Sequence, residues 1–185
     1  MRQSNCLNPK RATVNSEERN ANNRRKNDDQ IMKIESERLL LYPISDNEMV
    51  QLIENEQDAD LKQAYSEMLQ GCINEPEKRM WHAVWFMELK NQPGTIVGDL
   101  SFKGLAADGM VELGYGLREG YCGHGYMTEA VKVIAKWALA QDGVTRVEAE
   151  TAPDNTASQK VLTNAGFIPT GESGEEGPRF LYKTT

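Results

Sequence analysis

A glycine-rich loop between two regular segments is the feature of this sequence that most constrains its fold. Three glycines fall within residues 120–125, after a strand-like run over residues 110–117 and before a helix-like run over residues 128–141. Glycine adopts positive φ and has no side chain to hold a ligand away from the backbone. The first N–H groups of a helix lack internal partners and lie at the positive end of its dipole. The segment therefore predicts an anion site that suits a phosphate or pyrophosphate.

Residues 1–31 differ in composition from the rest and are expected to form a disordered tail. They are rich in Asn, poor in apolar residues and without a hydrophobic period. Such a segment cannot bury enough surface to offset the entropy of ordering it. From residue 32 the apolar pattern is dense, and residues 32–185 are expected to form one domain. The longest apolar runs are too short to span a bilayer, so no membrane partner is expected.

Charge and cysteine content limit the classes of function. The formal charge is −7 at pH 7, and the part after the basic residues 1–31 is more acidic than this total. An acidic body argues against a nucleic-acid surface. It is compatible with a cationic substrate such as an amine, or with solubility alone. The 3 cysteines cannot all pair within the chain, which favours reduced thiols in the cytoplasm, and their spacing with 2 histidines fits no metal site.

The periodicity of apolar residues predicts an α+β fold. Three strand-like runs, over residues 83–89, 95–102 and 110–117, are joined by short turns, so they are antiparallel neighbours. Helices are predicted over residues 46–56, 60–70, 128–141 and 156–165, and further strands over residues 38–43, 144–151 and 179–183. The order β-α-α-β-β-β-α-β-α-β implies a sheet with helices on its faces.

Two common nucleotide-binding fingerprints fit the glycine loop poorly. The dinucleotide pattern G-x-G-x-x-G has Thr128 in its last place here, and the strand before the loop ends an antiparallel meander rather than starting a parallel sheet. The P-loop needs Gly-Lys followed by Ser or Thr, which this sequence lacks. The phosphate ligand is therefore expected to belong to another class.

Four short motifs follow one another in the second half of the chain. They are Glu112-Leu-Gly-Tyr115, Gly123-His-Gly-Tyr-Met-Thr-Glu-Ala130, Asn155-Thr-Ala-Ser158 and Leu162-x-x-x-Gly166-Phe167. In this order they resemble the GNAT N-acetyltransferases, especially the branch that includes RimJ and RimL, and the likeness covers roughly residues 32–183. It departs at Gly120, where the family has Gln or Arg. The resemblance implies the GNAT fold, a mixed and mostly antiparallel sheet with helices on both faces.

The same resemblance implies acetyl-CoA as the acetyl donor. In the family, backbone N–H groups of the loop hold the pyrophosphate of acetyl-CoA. Here that role falls to Cys122, Gly123, His124, Gly125, Tyr126 and Met127. The pantetheine arm is expected along the preceding strand near Leu117, with Asn155 and Ser158 fixing the cofactor arm.

The implied reaction is direct attack of a primary amine on the thioester. An amine attacks only when neutral, so a general base is useful. Glu112, on the strand that leads to the loop, is the candidate base; the alternative is an ordinary outward-facing residue. The family's tyrosine acid is replaced here by Leu162, which leaves Tyr115 or Tyr126 as a candidate proton donor, with packing as the alternative for each. Four acids between the first two helices could attract a cationic amine or merely form a solvated helix end: Glu54, Glu56, Asp58 and Asp60.

The sequence therefore predicts an N-acetyltransferase that acts on a protein N-terminus or a small-molecule amine. Its partners are expected to be acetyl-CoA and the amine acceptor, with no nucleic acid, and the chain is expected to be a monomer or homodimer. The alternative is a catalytically silent module that binds acetyl-CoA and serves a regulatory function.

Overall fold

Residues 32–183 are described by the computed structural model, and within them eight strands form a single sheet. The strands are β1 (Ile34–Glu35), β2 (Leu39–Pro43), β3 (Trp85–Leu89), β4 (Ile96–Leu105), β5 (Met110–Leu117), β6 (Arg146–Glu150), β7 (Phe167–Ser173) and β8 (Pro178–Tyr182). The helices are α1 (Asp46–Asn55), α2 (Ala59–Asn74), α3 (Tyr126–Leu139) and α4 (Thr156–Ala165), and a 3₁₀ segment covers Pro76–Trp81. The predicted tail, residues 1–31, lies outside the described residues.

The strands lie across the sheet in the order β1-β2-β3-β4-β5-β6-β8-β7. β3, β4 and β5 form the predicted antiparallel meander. The remaining neighbours are antiparallel as well, except β5 and β6, which run parallel. Parallel neighbours need a crossover connection, and α3 supplies it. The prediction of an α+β fold with a mixed, mostly antiparallel sheet is confirmed.

The sheet carries a separate apolar core on each face. Side chains of a strand alternate between faces, so every second residue of β4 and β5 points towards α3 and α4. That larger core includes Leu100, Phe102, Val111 and Leu113, each at most 2% exposed. α1 and α2 cover the other face with a smaller cluster of Ile44, Met49, Tyr65, Cys72, Ala83 and Val84. Helices lie on both faces, as predicted, and of those in the described residues none is long and apolar enough to cross a membrane.

Short-range signals set the ends of the helices. Ser45 caps α1, because its Oγ accepts from the Glu48 N–H at 3.3 Å while the Glu48 carboxylate accepts from the Ser45 N–H at 2.7 Å. α4 covers its predicted residues and stops at Gly166, whose φ of 101° is in the left-handed region. α2 runs past its predicted end to Asn74, because Cys72 in its last turn is also buried.

Two strands and the 3₁₀ segment were not predicted from the sequence. β7 pairs with β8 at the edge of the sheet, yet only Phe167 among its residues is buried. No alternation of apolar and polar residues marks it, and Pro169 and Gly171 are unfavourable in a strand. β1 has only two residues, which is too short for any period to show.

Four aromatic rings hold the 3₁₀ segment and α3 against the sheet. The ring of Trp137 on α3 lies 4.9 Å from that of Trp85 and 5.4 Å from that of Trp81, between centroids. The ring of Phe102 on β4 meets Trp81 edge to face at 5.1 Å. Such pairs add to the stability that burial alone provides. The cluster fixes the central strands relative to the helix that follows the glycine loop.

Replacing Phe102 should test how much this cluster contributes. Phe102 is 1% exposed, so Phe102→Ala removes a buried ring and leaves a cavity. We expect the free energy of unfolding to fall by about 3–5 kcal/mol, measured by urea denaturation. The control Lys132→Ala, on the exposed side of α3, should change it by less than about 0.5 kcal/mol. Equal effects of the two substitutions would contradict the role given to the cluster.

Candidate active site

The sheet opens between β5 and β6 a short way into their parallel pairing. The paired residues run from Met110 opposite Arg146 to Glu112 opposite Glu148. Beyond that pair, residues 113–117 of β5 pair only with β4 among the strands that the structure describes. Their backbone groups on the far side face the opening. An extended ligand can pair with such an edge by the logic of strand addition.

A cleft of about 600 Å³ occupies this opening. That volume is typical of small-molecule sites. Most residues predicted to bind the cofactor or to act on it line the cleft: Tyr115, Leu117, Cys122, Gly123, Gly125, Met127, Asn155 and Ser158. Those that line it without having been predicted are Gly116, Thr128, Ala157, Lys160, Val161 and Asn164. Lys160 adds a cation to the cleft, and no motif in the sequence marks it.

The glycine loop presents backbone rather than side chains to the cleft. Gly120, Gly123 and Gly125 all have positive φ, at 86°, 81° and 78°. A Cβ built at Gly123 would meet no atom within 4 Å, so the space in front of it is open. Gly125 is the N-cap of α3 and gives no side-chain hydrogen bond to it. The first N–H groups of α3 thus lack a side-chain cap, which is the arrangement that binds anions.

An ion pair from the other end of the chain holds this loop in place. The Glu129 carboxylate on α3 accepts from Ser36 Oγ at 2.6 Å, from the Arg38 N–H at 2.7 Å and from Arg38 Nε at 2.6 Å. Arg38 Nη1 donates to the carbonyl oxygen of His124 at 2.9 Å. The Arg38 guanidinium also lies 4.6 Å from the centre of the Tyr126 ring. These contacts tie the loop and the start of α3 to the segment between β1 and β2.

His124 and Tyr126 contribute to the loop without their rings lining the cleft. Their ring centroids lie 5.6 Å apart. Both residues are predicted to act through their backbone N–H groups, which this position of the rings permits. The anchoring by Arg38 and Glu129 is not part of the sequence prediction. Its only local signal is the acidic residue in the first turn of α3.

The structure brings Tyr115 and Ser158 together inside the cleft. The Tyr115 hydroxyl lies 2.8 Å from Ser158 Oγ. Burial raises the pKa of Tyr115 above its ordinary value, although the Ser158 hydrogen bond opposes the shift. The phenol is therefore protonated at neutral pH. Asn155 positions this pair, because its Oδ1 caps α4 by accepting from the Ser158 N–H at 3.0 Å.

Glu112, the candidate base, does not line the cleft. Its side chain is 12% exposed and is in an ion pair with Lys103 Nζ, which also contacts the Glu176 carboxylate at 2.8 Å. Glu112 alternates with Leu113 and Tyr115 along β5 and so points to the face opposite the cleft. There it lines a smaller cavity of about 340 Å³ together with Lys103 and Met110. The cleft and Glu112 are thus on different faces of one strand.

Ion pairs surround the point where β5 and β6 part. Arg146 Nε lies 2.7 Å from Glu148, and Arg146 Nη2 lies 2.7 Å from Asp108, just before β5. Arg179 on β8 contacts both Glu148, at 3.4 Å, and Glu150. These contacts hold β6 to β8 and to the start of β5. No cluster of three or more potential metal ligands occurs in residues 32–183.

Known proteins share this sequence pattern. The family model of an acetyltransferase (GNAT) domain matches residues 32–168. The uncharacterized N-acetyltransferase YjdG of Bacillus subtilis (strain 168) is 37% identical over 81 residues, which is 43% of this chain and 48% of that protein. The chain therefore spans about half the length of this curated relative.

Solved structures share the fold. The ribosomal-protein-S5-alanine acetyltransferase from Vibrio fischeri superimposes with a TM-score of 0.63 at 20% identity, over 81% of this chain and 94% of that one. RimL, a ribosomal L7/L12 alpha-N-protein acetyltransferase in complex with coenzyme A, gives a TM-score of 0.62 at 18% identity, over 82% and 96% of the two chains. At these identities the likeness is one of fold, and it confirms the predicted GNAT fold.

Replacing Glu129 should reveal the anchor of the loop as a pH-dependent contribution to stability. Although burial opposes it, the hydrogen bonds from Ser36 and Arg38 lower the pKa of Glu129 below its ordinary value of 4.5. A lowered folded pKa stabilises the protein above the unfolded pKa, and this stabilisation is lost as pH falls through the folded value. Glu129→Gln should therefore reduce the free energy of unfolding by about 2 kcal/mol at pH 7.

The difference between wild type and Glu129→Gln should shrink steadily as the pH of the urea titration falls below 4.5, the ordinary value of the Glu129 pKa. Glu119→Gln, which changes an exposed carboxylate near the same loop, should show no such trend. A difference that is constant from pH 7 down to pH 3 would rule out the ionised anchor.

Proposed function

This chain belongs to the GNAT acetyltransferase family, and we propose that it transfers the acetyl group of acetyl-CoA to a primary amine. GNAT acetyltransferases use acetyl-CoA as the donor. The observation that carries the proposal is the cleft at the parting of β5 and β6, which combines an open strand edge with an uncapped helix N-terminus. These two features suit the two ends of a donor that has a strand-like arm and a pyrophosphate.

The residues of the cleft fit acetyl-CoA chemically. Backbone N–H groups of residues 122–127 would hold the pyrophosphate, and the open space before Gly123 lets phosphate oxygens approach them. Lys160 supplies a cation within the same cleft. The amide groups of the pantetheine arm would pair with the free edge of β5 near Leu117. Asn155 and Ser158, at the start of α4, would border the arm on its other side.

In the proposed reaction the amine nitrogen attacks the thioester carbonyl carbon. The developing oxyanion can be stabilised by backbone N–H groups of β5 that face the opening. The C–S bond then breaks with its electron pair on sulfur, and the nitrogen loses one proton, the equivalent of the one that sulfur gains. The Tyr115 hydroxyl can protonate the departing thiolate, because burial keeps this phenol protonated and it points into the cleft.

The acceptor is proposed to be a protein N-terminus or a small-molecule amine. One of the two structures of similar fold is named for a ribosomal-protein alanine and the other for an alpha-N-protein site. An α-amino group with a pKa of about 8 is roughly one-tenth neutral at pH 7, far more than a lysine amine. We expect the reaction in the cytoplasm, by a monomer or homodimer.

Acetyl-CoA should raise the melting temperature of the chain by mass action, whereas NAD and ATP should not. Gly123→Ala places a methyl group in the open space beside the predicted pyrophosphate site, and we expect the Kd for acetyl-CoA to rise about tenfold, the loss of one hydrogen bond. The matched control is Gly120→Ala, which has a similar φ of 86° and equally open surroundings but does not line the cleft.

Both glycine variants should be destabilised to a similar extent, because alanine is strained at positive φ. Only Gly123→Ala should lose affinity for acetyl-CoA in isothermal titration calorimetry. Equal loss in both, or no acetyl-CoA shift in the wild type, would contradict the assigned cofactor site.

Tyr115→Phe should separate catalysis from binding. It removes the hydroxyl beside Ser158 and keeps the ring, so acetyl-CoA affinity should change little. We expect kcat for thiol release to fall by about 10- to 100-fold with the best acceptor among an alanyl peptide, spermidine and kanamycin. An unchanged kcat would remove Tyr115 from the mechanism. Binding of acetyl-CoA without release of thiol for any amine would favour a silent binding module instead.

A further inference from the structure

An acidic side chain on β4 lies beside the open segment of β5, on the face opposite the cleft. Residues of a strand alternate between faces, so the Tyr115 side chain lies on the cleft side, whereas a Cβ at Gly114 or Gly116 would point to the side that α1 and α2 cover. The backbone of Gly116 also borders the cleft. Asp99 is the direct register partner of Gly116. Paired residues stand next to each other on one face of a sheet. Asp99 therefore lies one strand away from the free edge at which the thioester arm is proposed to bind.

The strand edge next to Asp99 is open at Gly116. Gly116 is exposed, and a Cβ built on it would meet no atom within 4 Å. Within residues 32–183, no side-chain hydrogen bond or ion pair engages the Asp99 carboxylate or the hydroxyl of Tyr65 on α2. A half-buried carboxylate without a partner is costly, which favours an external cation as its complement.

Asp99 is surrounded by groups that tune its charge. Burial raises the pKa of Asp99 to about 6; Arg118, which follows β5, lowers it, and Glu56, which follows α1, raises it further. The Arg118 guanidinium is stacked on Phe86, the β3 partner of Asp99, at 5.5 Å from the ring centroid. Burial likewise raises the pKa of Tyr65 to about 12, so its hydroxyl is protonated and can donate a hydrogen bond.

The other carboxylates of the sheet on this face, Glu88 and Glu112, are already engaged by partners. Glu88 on β3 accepts from the Tyr42 hydroxyl on β2 at 2.8 Å. Glu112 and Lys103 form their ion pair further along the same face, since Glu112 precedes Gly116 by four residues, or about 13 Å of strand. Asp99 is thus the carboxylate of β4 and β5 that is available to a cation.

We propose that Asp99 is the general base that binds the acceptor ammonium and takes its proton, a role that rests on the proposed acetyl transfer. The ammonium gives one proton to the Asp99 carboxylate and becomes a neutral amine. The nitrogen then forms its bond to the carbonyl carbon, the C–S bond breaks with its electron pair on sulfur, and the thiolate takes up the equivalent of the second proton that the nitrogen loses. Asp99 finally releases its proton to water.

The pKa of Asp99 and the charges around it suit a general base that takes a proton from an ammonium group. A carboxyl with a pKa near 6 is about nine-tenths ionised at pH 7 and is a stronger base than an ordinary aspartate. Glu56 and Asp99 together carry more negative charge than Arg118 offsets, which favours a cationic acceptor. The open surroundings of Gly116 provide the room for the amine. The acceptor would then approach from one face of β5 while the donor lies against the other.

The pH dependence of kcat/KM tests the proposal. For the amine of the same panel that reacts best, kcat/KM of the wild type should fall as the pH drops through about 6, because burial raises the pKa of Asp99 to about 6. Asp99→Asn should lower kcat/KM by about 100-fold or more and remove this acidic limb, with the acetyl-CoA thermal shift unchanged. Ser101→Ala, a neutral change on the same face of β4, should keep both the rate and the limb.

The competing assignment, in which Glu112 is the base, is tested with Glu112→Gln. If Glu112→Gln removes the acidic limb and Asp99→Asn keeps it, the base is Glu112 and the proposal is overturned. Retention of full activity by Asp99→Asn overturns it as well. A wild-type chain without any acetyl-CoA shift contradicts the proposed function itself, and the role of Asp99 with it.

A second measurement needs no acceptor. The side-chain carboxyl signal of Asp99 in ¹³C NMR, assigned by its absence in Asp99→Asn, should titrate with a midpoint near 6. Arg118→Gln should raise that midpoint, because the guanidinium lowers the pKa in the wild type. A midpoint at the ordinary value of 3.8 would overturn the proposal.

Discussion

The short parallel pairing of β5 and β6 is the constraint on which the rest of the site depends. Had the two strands stayed paired to Leu117, no strand edge would be free in the middle of the sheet and no cleft would form there. The pairing ends at Glu112 and Glu148, where Arg179 joins β6 to β8 and Arg146 joins β6 to Asp108, just before β5. An unpaired strand edge is normally a liability. Here it is kept inside the fold, between two helices, where a ligand rather than another chain can reach it.

The glycine loop depends on contacts far away in sequence. A loop that binds through backbone N–H groups cannot also use large side chains to fix its own shape, since they would fill the site. The positive φ values of its glycines leave it with few local constraints. Arg38 and Glu129, which are 91 residues apart, supply the missing constraint through hydrogen bonds to a Glu129 side chain that is 16% exposed. The residues suited to binding a ligand are thus different from those that hold the loop in shape.

Local patterns predicted most of the elements, and pairing across the sheet accounts for what they missed. The strand over residues 110–117 and the helix over residues 156–165 match their predictions because the period, the caps and the glycine stop all agree. β7 was missed because its residues are exposed and its place depends on β8. The proposed role of Asp99 could not be predicted from sequence, since it depends on the register with Gly116 and on Arg118 packing on Phe86. Glu112 lies on the predicted strand, yet its contact with Lys103 depends on the pairing register of β4 and β5, which no period reveals.

The alternation of large and small residues at the end of β5 has a consequence for how such a protein can change over time. Tyr115 and Leu117 border the cleft, while on the opposite face a Cβ at Gly116 would meet open space and one at Gly114 would only touch Ser101 Oγ at 3.4 Å. Under the proposed function, positions one residue apart on β5 contact different molecules. Substitutions at 114 and 116 can reshape one side of the strand without altering the contacts of its neighbours on the other. On such a strand, the residues of one face can stay the same during evolution while those of the other face change.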